Sequence, residues 1–302
     1  MIESIAHRTR VYVDGYNLYY GCLKGTGYKW LDLRRLFDLV LRSVLFEAGG
    51  APVRFELQPM AIKYFTAPIL KNFARDEDSV ASQAHYHHAL RGHLEGGIEI
   101  IQGYYDAKPA RAHLFEKGKP ARACEKREIW KIEEKESDVS LALHAYSDAA
   151  RDEVDHVVIV TNDTDIVPAL RMIRSHTQAT IGLVVPAKEH ARKVNTDLKA
   201  LAHWTRAYVV ASELAAAQLP NMVRYRHQII HKPISWYSRP DLLVPILVEA
   251  RRIRKSNGAA WKWLNQPCSH LGDRVPIDMV GDDGEAAVLR AYMDRYAKDF
   301  GL

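Results

Sequence analysis

The chain has 302 residues, of which 47% are hydrophobic and 26% are charged, and its formal net charge is +5. This composition is ordinary for a soluble globular protein, and the length suffices for a sizeable core without disulfides or a structural metal. Three widely spaced cysteines with no CxxC pair argue against a disulfide framework or a thiolate zinc site. The chain starts without an apolar signal segment, and no apolar run approaches the ~20 residues of a membrane span. We therefore expect a cytoplasmic protein that makes no membrane contact.

The first predicted strand covers residues 10–13 and ends at Asp14, which Gly15 and Asn17 follow. Gly15 permits a tight backbone turn at this point. Asp14 alone suits the N-cap of a helix, whereas Asn17 is able either to cap a helix or to reach the same ligand as Asp14. Both alternatives stay open. Three tyrosines of this segment are interpreted as packing residues rather than as a base-stacking platform: Tyr16, Tyr19 and Tyr20.

The next elements alternate between helix and strand. Residues 31–47 show a helical period, with Asp32 as the expected cap, and residues 61–67 predict a second strand. A helix over residues 79–94 precedes a third strand over residues 98–102. The histidines of that helix suggest a metal site, but only one pair has a good helical spacing and no carboxylate completes a ligand set. A solvated helix face is therefore favoured for His85, His87, His88 and His93.

Basic residues crowd residues 108–131, where no regular period is visible and where Phe115 and Trp130 are interspersed. Charge runs are usually solvated loops, but this run leads directly to a second acidic cluster. Two interpretations stay open, a solvated loop and a lip that faces nucleic acid. Under the second interpretation, Lys126 and Arg127 are candidate nucleic-acid contacts.

The second acidic cluster, residues 134–138, opens an amphipathic helix. Ser137 is its predicted N-cap, and Asp138 falls in the first turn, where the helix dipole favours a negative charge. A capping and dipole role is therefore the structural alternative to a functional role for Asp138.

A run of β-branched residues, 157–160, predicts a buried parallel strand, and Asp163 and Asp165 follow it directly. Pro168 suits the first turn of the next helix. Two carboxylates ~4 Å apart repel each other by about 4 kcal/mol at an effective dielectric of ~20. A divalent cation is the usual reason for keeping such a pair at the carboxyl end of a strand, where ligands bind in open α/β sheets.

The alternation continues with a strand over residues 179–185, a short helix over residues 198–204 and an edge strand over residues 208–210. The whole pattern predicts an α/β fold, with a parallel sheet and helices on both faces. Because the acids stand at strand ends or at a helix N-terminus, we expect four of them to converge at one edge: Asp14, Asp138, Asp163 and Asp165.

The C-terminal part begins with residues 213–240, whose prolines and basic residues predict a linker or a strap over the domain surface. A helix over residues 241–253 follows, and Gly258 is expected to stop it. A last helix begins in residues 284–290. The predicted organisation is a domain over residues 8–212, this linker or strap, and a helical module over residues 241–302.

Four short motifs stand in the order and spacing of the NYN domain: residues 13–17 (VDGYN), 64–65 (YF), 135–139 (KESDV) and 161–165 (TNDTD). Over residues 8–212 the chain resembles the LabA-like branch of this domain, within the PIN-like nuclease superfamily. The resemblance implies a PIN-like parallel sheet with a small C-terminal helical module appended. The family commonly has glycine at the position of Asn162 and an aromatic residue at that of Ile166.

The resemblance also implies a metal-dependent ribonuclease, a hydrolase that cleaves RNA with Mg²⁺ or Mn²⁺. It makes Asp14, Asp138, Asp163 and Asp165 the catalytic and metal-binding acids, with Asn17 as their catalytic companion. Such hard cations prefer oxygen ligands, and they activate water for attack on a phosphate. No nucleophilic Ser, Cys or His set accompanies the motifs, so direct attack by water is expected. The candidate phosphate contacts beside the motifs are Lys24 and Lys135.

The C-terminal segment is similar to the toxin-binding domain of MbcA/ParS/Xre antitoxins, on the basis of a WLNQP helix end, an LGDRVP turn and a GEAAV helix start. That resemblance implies a module for self-association into a homodimer or for a protein partner. A helical extension packed on the first domain is the alternative. For the whole chain, two further functions stay open, a catalytically weak RNA-binding or regulatory protein and a toxin–antitoxin-type interaction protein. A dinucleotide enzyme is disfavoured because no Gly-x-Gly-x-x-Gly follows a strand.

Overall fold

A mostly parallel β-sheet lies at the centre of the protein, seen in a computed structural model that describes residues 5–301. Residues 1–4 and the last residue of the predicted C-terminal module, 302, lie outside the described residues. The strands are β1 (Ile5–Asp14), β2 (Glu47–Ala48), β3 (Ala51–Thr66), β4 (Ile98–Gln102), β5 (Tyr104–His113), β6 (Lys126–Lys135), β7 (His156–Val160), β8 (Thr180–Val184), β9 (Trp204–Arg206), β10 (Met222–Tyr225) and β11 (Gln228–His231). The helices are α1 (Gly15–Leu18), α2 (Leu33–Arg42), α3 (Ser79–His93), α4 (Ser137–Ala150), α5 (Val167–His176), α6 (Thr196–Leu201), α7 (Ala211–Ala216), α8 (Pro240–Arg254), α9 (Asn257–Leu264) and α10 (Asp283–Asp299).

The sheet has the spatial order β4-β3-β1-β7-β8-β9, with all of these neighbours parallel and β2 antiparallel at the start of β3. Val13 of β1 lies opposite both Tyr64 of β3 and Val160 of β7. The carboxyl ends of these three central strands therefore meet at one edge. The predicted α/β class, with helices on both faces of a parallel sheet, is confirmed.

Two apolar layers cover the sheet. Helices α2, α3 and α7 pack on one face, and α4, α5 and α6 pack on the other. Because both faces are covered, all five residues of β7 are buried, which explains its continuous β-branched sequence. A third apolar cluster joins α8, α9 and α10 in the C-terminal part. Among the described residues, no helix combines the length and the apolar character that crossing a bilayer requires.

A buried ionic cluster ties α4 to the sheet. The Asp148 carboxylate lies 2.8 Å from Lys63 Nζ and 2.6 Å from an Arg10 nitrogen, and it accepts a 2.6 Å hydrogen bond from the Tyr12 hydroxyl. Burial opposes the charged form of Asp148, but these donors outweigh burial and lower the pKa of the carboxyl. The helix that carries Asp138 is therefore fixed to β1 and β3 by charge as well as by apolar packing.

The basic segment 108–131 is irregular only over residues 114–125, and its two ends are strands, which corrects the expectation of an irregular segment throughout. Strands β5 and β6 pair antiparallel over their whole length, from Tyr104 opposite Lys135 to His113 opposite Lys126. We call this hairpin, residues 104–135, the arm. Its side chains are largely exposed on both faces, so the alternation of apolar and polar residues that marks a half-buried strand is missing.

Several predicted boundaries were wrong. Ser137 is not the N-cap of α4: Glu136 occupies that position with φ 73°. The helix predicted over 198–204 is α6, which ends at Leu201, and the edge strand is β9 rather than residues 208–210. Gly258 lies inside α9, whereas Lys255 ends α8 in a left-handed conformation. These ends depend on backbone hydrogen bonds that composition does not encode.

Only two of the four histidines of α3 are exposed to solvent, His85 and His93. The His87 ring is buried, the His88 ring stacks on Tyr225 at 5.0 Å between centroids, and His93 Nε2 lies 3.0 Å from an Asp32 oxygen. Burial lowers the pKa of His87 to about 4, so its imidazole stays neutral. The solvated-face interpretation is therefore wrong for His87 and His88, the second of which is covered by Tyr225 of the segment 213–240, whereas His85 and His93 are exposed.

That segment, predicted as a linker or strap, carries the β10–β11 hairpin. Val223 and Ile230 of the hairpin join the core layer that includes α3. The Trp30 indole donates a 2.8 Å hydrogen bond to the Pro220 carbonyl. Contacts with the first domain therefore continue well past residue 212, and the predicted domain boundaries stay predictions.

The Asp148 cluster gives a stability prediction. Asp148→Ala leaves Lys63 and Arg10 as buried charges without their shared counter-ion, and we expect a loss of about 3–5 kcal/mol in the free energy of unfolding. Urea denaturation at pH 7 measures this loss. The matched control is Asp38→Ala, whose 2.8 Å ion pair with Arg42 is exposed, and which we expect to cost no more than about 1 kcal/mol. Equal losses in the two variants would contradict the structural role of the cluster.

Candidate functional site

Four carboxylates meet at the edge where β1 and β7 end. Asp14 is the last residue of β1, Asp163 and Asp165 lie just after β7, and Asp138 lies in the first turn of α4. Together with Thr161 they line a space of about 10 Å³, which is the size of one water-sized sphere. We call this site the acidic pocket. The structure thus brings together all four acids that the sequence singled out.

Asp14 is held in one orientation by three hydrogen bonds. Its Oδ1 accepts from the backbone N–H of Asn17 at 2.9 Å, and its Oδ2 accepts from Asn17 Nδ2 at 2.6 Å and from Thr161 Oγ1 at 2.8 Å. Asp14 therefore caps α1, and Asn17 does not cap a helix but donates to Asp14 itself. A ligand shared by Asn17 and Asp14 stays a prediction. Burial raises the pKa of Asp14 even though these three donors favour the charged form.

The negative charges of the neighbouring acids repel the ionised form of Asp138. Burial and then the charges of Asp14, Asp163, Glu134 and Asp165 raise its pKa to about 6. The backbone turns sharply just before this residue, at Glu136, and Ser137 Oγ donates a 2.6 Å hydrogen bond to Glu134 Oε1. The end of the arm thus fixes the start of α4 and, with it, the position of Asp138.

The loop after β7 is shaped by its own side chains. Thr161 Oγ1 accepts from the Asp163 N–H at 3.1 Å, and Asp163 Oδ1 accepts from the Asp165 N–H at 3.1 Å. Asn162 turns away from the pocket: its Oδ1 accepts from the Asn195 N–H at 3.0 Å and its Nδ2 donates to the Lys193 carbonyl at 3.2 Å. Asn162 therefore joins the loop to the start of α6 without displacing an acid. Ile166, at the other departure from the family pattern, is buried.

The donor chemistry of the acidic pocket suits a hard divalent cation. The side chains present oxygen atoms, and the mutual repulsion seen at Asp138 would be relieved by a positive charge. Among residues 5–301, however, no three His, Cys, Asp or Glu side chains form a group that could hold a metal ion. Mg²⁺ commonly takes one or two carboxylates and keeps several waters. The pocket fits that mode of binding rather than a closed cage of protein ligands.

The basic residues proposed from the sequence do not gather at the pocket. Lys24 Nζ lies over the Tyr20 ring, 4.5 Å from its centroid, and Lys135 Nζ is paired with Glu133 at 3.0 Å. Lys126 and Arg127 stand at the far end of the arm, about 30 Å along the strand from Lys135 at ~3.3 Å per residue. Lys126 and Arg127 therefore lie far from the acidic pocket.

A second cavity, of about 220 Å³, adjoins the acidic pocket and was not predicted. We call it the aromatic cleft. Trp236 lines it together with six tyrosines: Tyr16, Tyr19, Tyr20, Tyr64, Tyr86 and Tyr105. The interpretation of the first three as packing residues was wrong for two of them, since Tyr16 is 49% and Tyr20 is 42% exposed. The spacing of Tyr16 and Tyr20 by one helical turn was the available signal, because residues four apart share a face.

Comparisons with known proteins give one family match, one relative of similar length and one solved structure. The family model described as the NYN domain matches residues 8–208. A relative from Pseudomonas putida (strain DSM 28022 / S16), the protein 6-hydroxy-3-succinoylpyridine 3-monooxygenase HspA, is 49% identical over 285 residues, which cover 92% of this chain and 91% of the relative. A solved structure of a protein of unknown function from Vibrio parahaemolyticus RIMD 2210633 is 19% identical and covers 70% of this chain and 96% of its own, with a TM-score of 0.38.

The crowding of acids predicts that removing one charge stabilises the protein. The pKa of Asp138 is raised, so its ionisation costs folded-state stability; this cost is absent below the ordinary value of 3.8 and complete above about 6. In EDTA we expect Asp138→Asn to raise the thermal midpoint by roughly 2 °C at pH 7.5, and by less at pH 4.5. Asp294→Asn, an exposed acid on α10, is the control. A lower midpoint for Asp138→Asn at pH 7.5 would contradict the repulsion.

Proposed function

The chain belongs to the NYN domain family, and from that premise we propose that it is a ribonuclease that hydrolyses RNA phosphodiester bonds at the acidic pocket with Mg²⁺ or Mn²⁺. The observation that carries the proposal is the meeting of Asp14, Asp138, Asp163 and Asp165 around one small space. A site built only to bind RNA gains nothing from carboxylates that repel both each other and a phosphate. A divalent cation turns the same carboxylates into a phosphate-binding site.

The side chains of the acidic pocket would have different roles in the reaction. When bound, the cation supplies a Lewis acid for the phosphate and lowers the pKa of a water molecule. Asp14 cannot rotate, because Asn17 and Thr161 hold both of its oxygens, so it presents fixed acceptors. Asp163 and Asp165 are exposed at the rim and would orient water. Attack by water forms a bond from its oxygen to phosphorus and breaks one P–O ester bond, which releases a hydroxyl end.

Loss of one rim acid tests the ribonuclease. We expect Asp163→Asn to reduce cleavage of a fluorescent single-stranded RNA in Mg²⁺ by about 100-fold or more, the typical effect of removing one charge-stabilising group. Gel analysis of initial rates measures it, with EDTA as the metal-free reference. Asp294→Asn is the matched control, because it removes a carboxylate on α10 far from the pocket in sequence and in fold. Cleavage by Asp163→Asn at the wild-type rate would place the reaction elsewhere.

A second candidate function is 3-monooxygenation of 6-hydroxy-3-succinoylpyridine. The observation that favours it is the relative HspA, which is 49% identical to this chain over 92% of the chain. The aromatic cleft has room for one such ring. However, the charges of the lining would repel the succinoyl carboxylate of that substrate. Among the described lining residues, the only lysine, Lys29, is outnumbered by three acids: Asp76, Asp78 and Glu134. We therefore place this candidate second.

An oxygen electrode separates the two candidates. A monooxygenase puts one atom of O₂ into the product and reduces the other to water, so it needs two electrons from a donor. With NADH, FAD and 6-hydroxy-3-succinoylpyridine supplied, we expect no oxygen uptake above the protein-free rate. Uptake that depends on the pyridine and matches its consumption would reverse our ranking.

For the C-terminal module we propose a role in self-association or in binding a protein partner, on the basis of its sequence resemblance. The module has its own apolar cluster, built by α8, α9 and α10. Light scattering of the full chain and of a chain that ends at Tyr237 would test this proposal. The shorter chain keeps Trp236 and the β10–β11 hairpin on the first domain. An unchanged oligomeric state would exclude self-association through the module.

A further inference from the structure

The aromatic cleft lies beside the acidic pocket, because Gly15 of the cleft directly follows Asp14 of the pocket. We propose that the cleft binds one nucleobase of a single-stranded RNA, next to the phosphate that lies at the acidic pocket. This inference rests on the proposed ribonuclease function, and it identifies single-stranded RNA as the form of RNA that the cleft binds. A duplex base pair cannot enter such a cleft, because its bases are stacked and paired.

Gly15 and Glu134 of the cleft lie nearest in the chain or in charge to the acids of the pocket. Gly15 follows Asp14 directly, and a Cβ at Gly15 would lie 2.7 Å from the Phe65 carbonyl oxygen and 2.8 Å from the Tyr64 hydroxyl. The absence of a side chain therefore lets Tyr64 of the cleft approach the strand end that bears Asp14. Glu134 lines the cleft, and its negative charge also contributes to the raised pKa of Asp138. A base in the cleft and its phosphate at the pocket are thus adjacent positions of one strand.

The exposed aromatic rings have the arrangement of a stacking platform. The Tyr16 and Tyr20 centroids are 4.4 Å apart with ring planes tilted by 35°, and Tyr19 meets Tyr20 edge-on at 5.1 Å. Tyr16 and Tyr20 are each nearly half exposed. Because Lys24 Nζ lies over the Tyr20 ring, we assign the stacking contact with a base to Tyr16. Aromatic side chains bind bases of single strands by stacking without reading sequence.

The segment after the family-matched domain also lines the cleft. Trp236 packs at 5.6 Å from Tyr86 and 6.0 Å from Trp30, between ring centroids. The neighbouring Ser235 hydroxyl donates to an Asp78 oxygen. Residues beyond 208 are therefore needed to complete the cleft, and they hold an indole close to the tyrosines.

The polar lining suits a neutral base rather than a phosphate. The carboxylates of Asp76, Asp78 and Glu134 outnumber the one lysine, so an anion is repelled from the interior. The buried ring of His87 lines the cleft, and among the described residues no side-chain hydrogen bond reaches it. A neutral imidazole with an unused donor and acceptor can bond to the edge of a heterocycle. The volume of about 220 Å³ is below the ~300 Å³ at which pockets for larger ligands begin, so it accommodates a single base.

Binding without catalysis tests the inference. Fluorescence anisotropy in Mg²⁺, with the cleavage-deficient Asp163→Asn variant as the parent protein, compares a labelled six-residue poly(U) RNA with an oligonucleotide of the same length that has abasic sites. We expect the parent protein to bind the RNA more tightly than the abasic strand. Tyr16→Ala should weaken RNA binding roughly 10-fold, as expected for one lost stacking contact, whereas Tyr16→Phe should bind normally. Tyr104→Ala is the matched control, because Tyr104 is equally exposed but points to the opposite side of β5 from Tyr105.

Each outcome decides the inference. Selective weakening by Tyr16→Ala, together with preference for bases over abasic sites, supports it. Equal affinity for the two strands, an unchanged affinity after Tyr16→Ala, or no RNA binding by the parent protein overturns it. Because binding is measured without cleavage, failure here is distinct from failure of the proposed function, which is the persistence of cleavage in Asp163→Asn.

Discussion

The parallel pairing of β1 with β7 is the constraint on which the candidate site depends. Its register places Val13 opposite Val160, so the next residues, Asp14 and Thr161, meet at the sheet edge and form a 2.8 Å hydrogen bond. A slip of one residue would turn the Asp14 side chain to the other face of the sheet. Burial of all of β7 and of the last four residues of β1 resists that slip, because the slip would also disturb the two apolar layers.

The fold holds together a group of like charges. Asp14 is buried with a raised pKa, and the pKa of Asp138 is raised to about 6. In the same helix as Asp138, Asp148 is neutralised by Lys63 and Arg10, and its pKa is lowered. The α4 helix thus carries one acid that stabilises the fold and one that strains it. Functional sites commonly show such locally unfavourable charge, which the surrounding structure supports.

The arm and the post-domain segment connect the site to the rest of the chain. The arm supplies Tyr105 and Glu134 to the aromatic cleft, and the segment after the domain supplies Trp236. Neither contribution belongs to the four sequence motifs. The motifs therefore supply the acids and, with Tyr16 and Tyr64, part of the cleft, whereas the rest of its lining comes from residues outside them. Proteins of the same family can in this way keep one set of acids and differ in what they bind.

The sequence by itself determined the α/β class and the convergence of the acids, because parallel strands place their carboxyl ends at one edge and each acid directly follows a strand or starts a helix. The sequence did not determine the arm, since a hairpin exposed on both faces lacks the alternation that reports burial. It also did not determine the aromatic cleft, whose lining extends from Gly15 to Trp236. Only the tertiary structure brings such distant residues together, and only it decides whether a tyrosine such as Tyr16 is packed or exposed, because exposure depends on contacts that no local pattern contains.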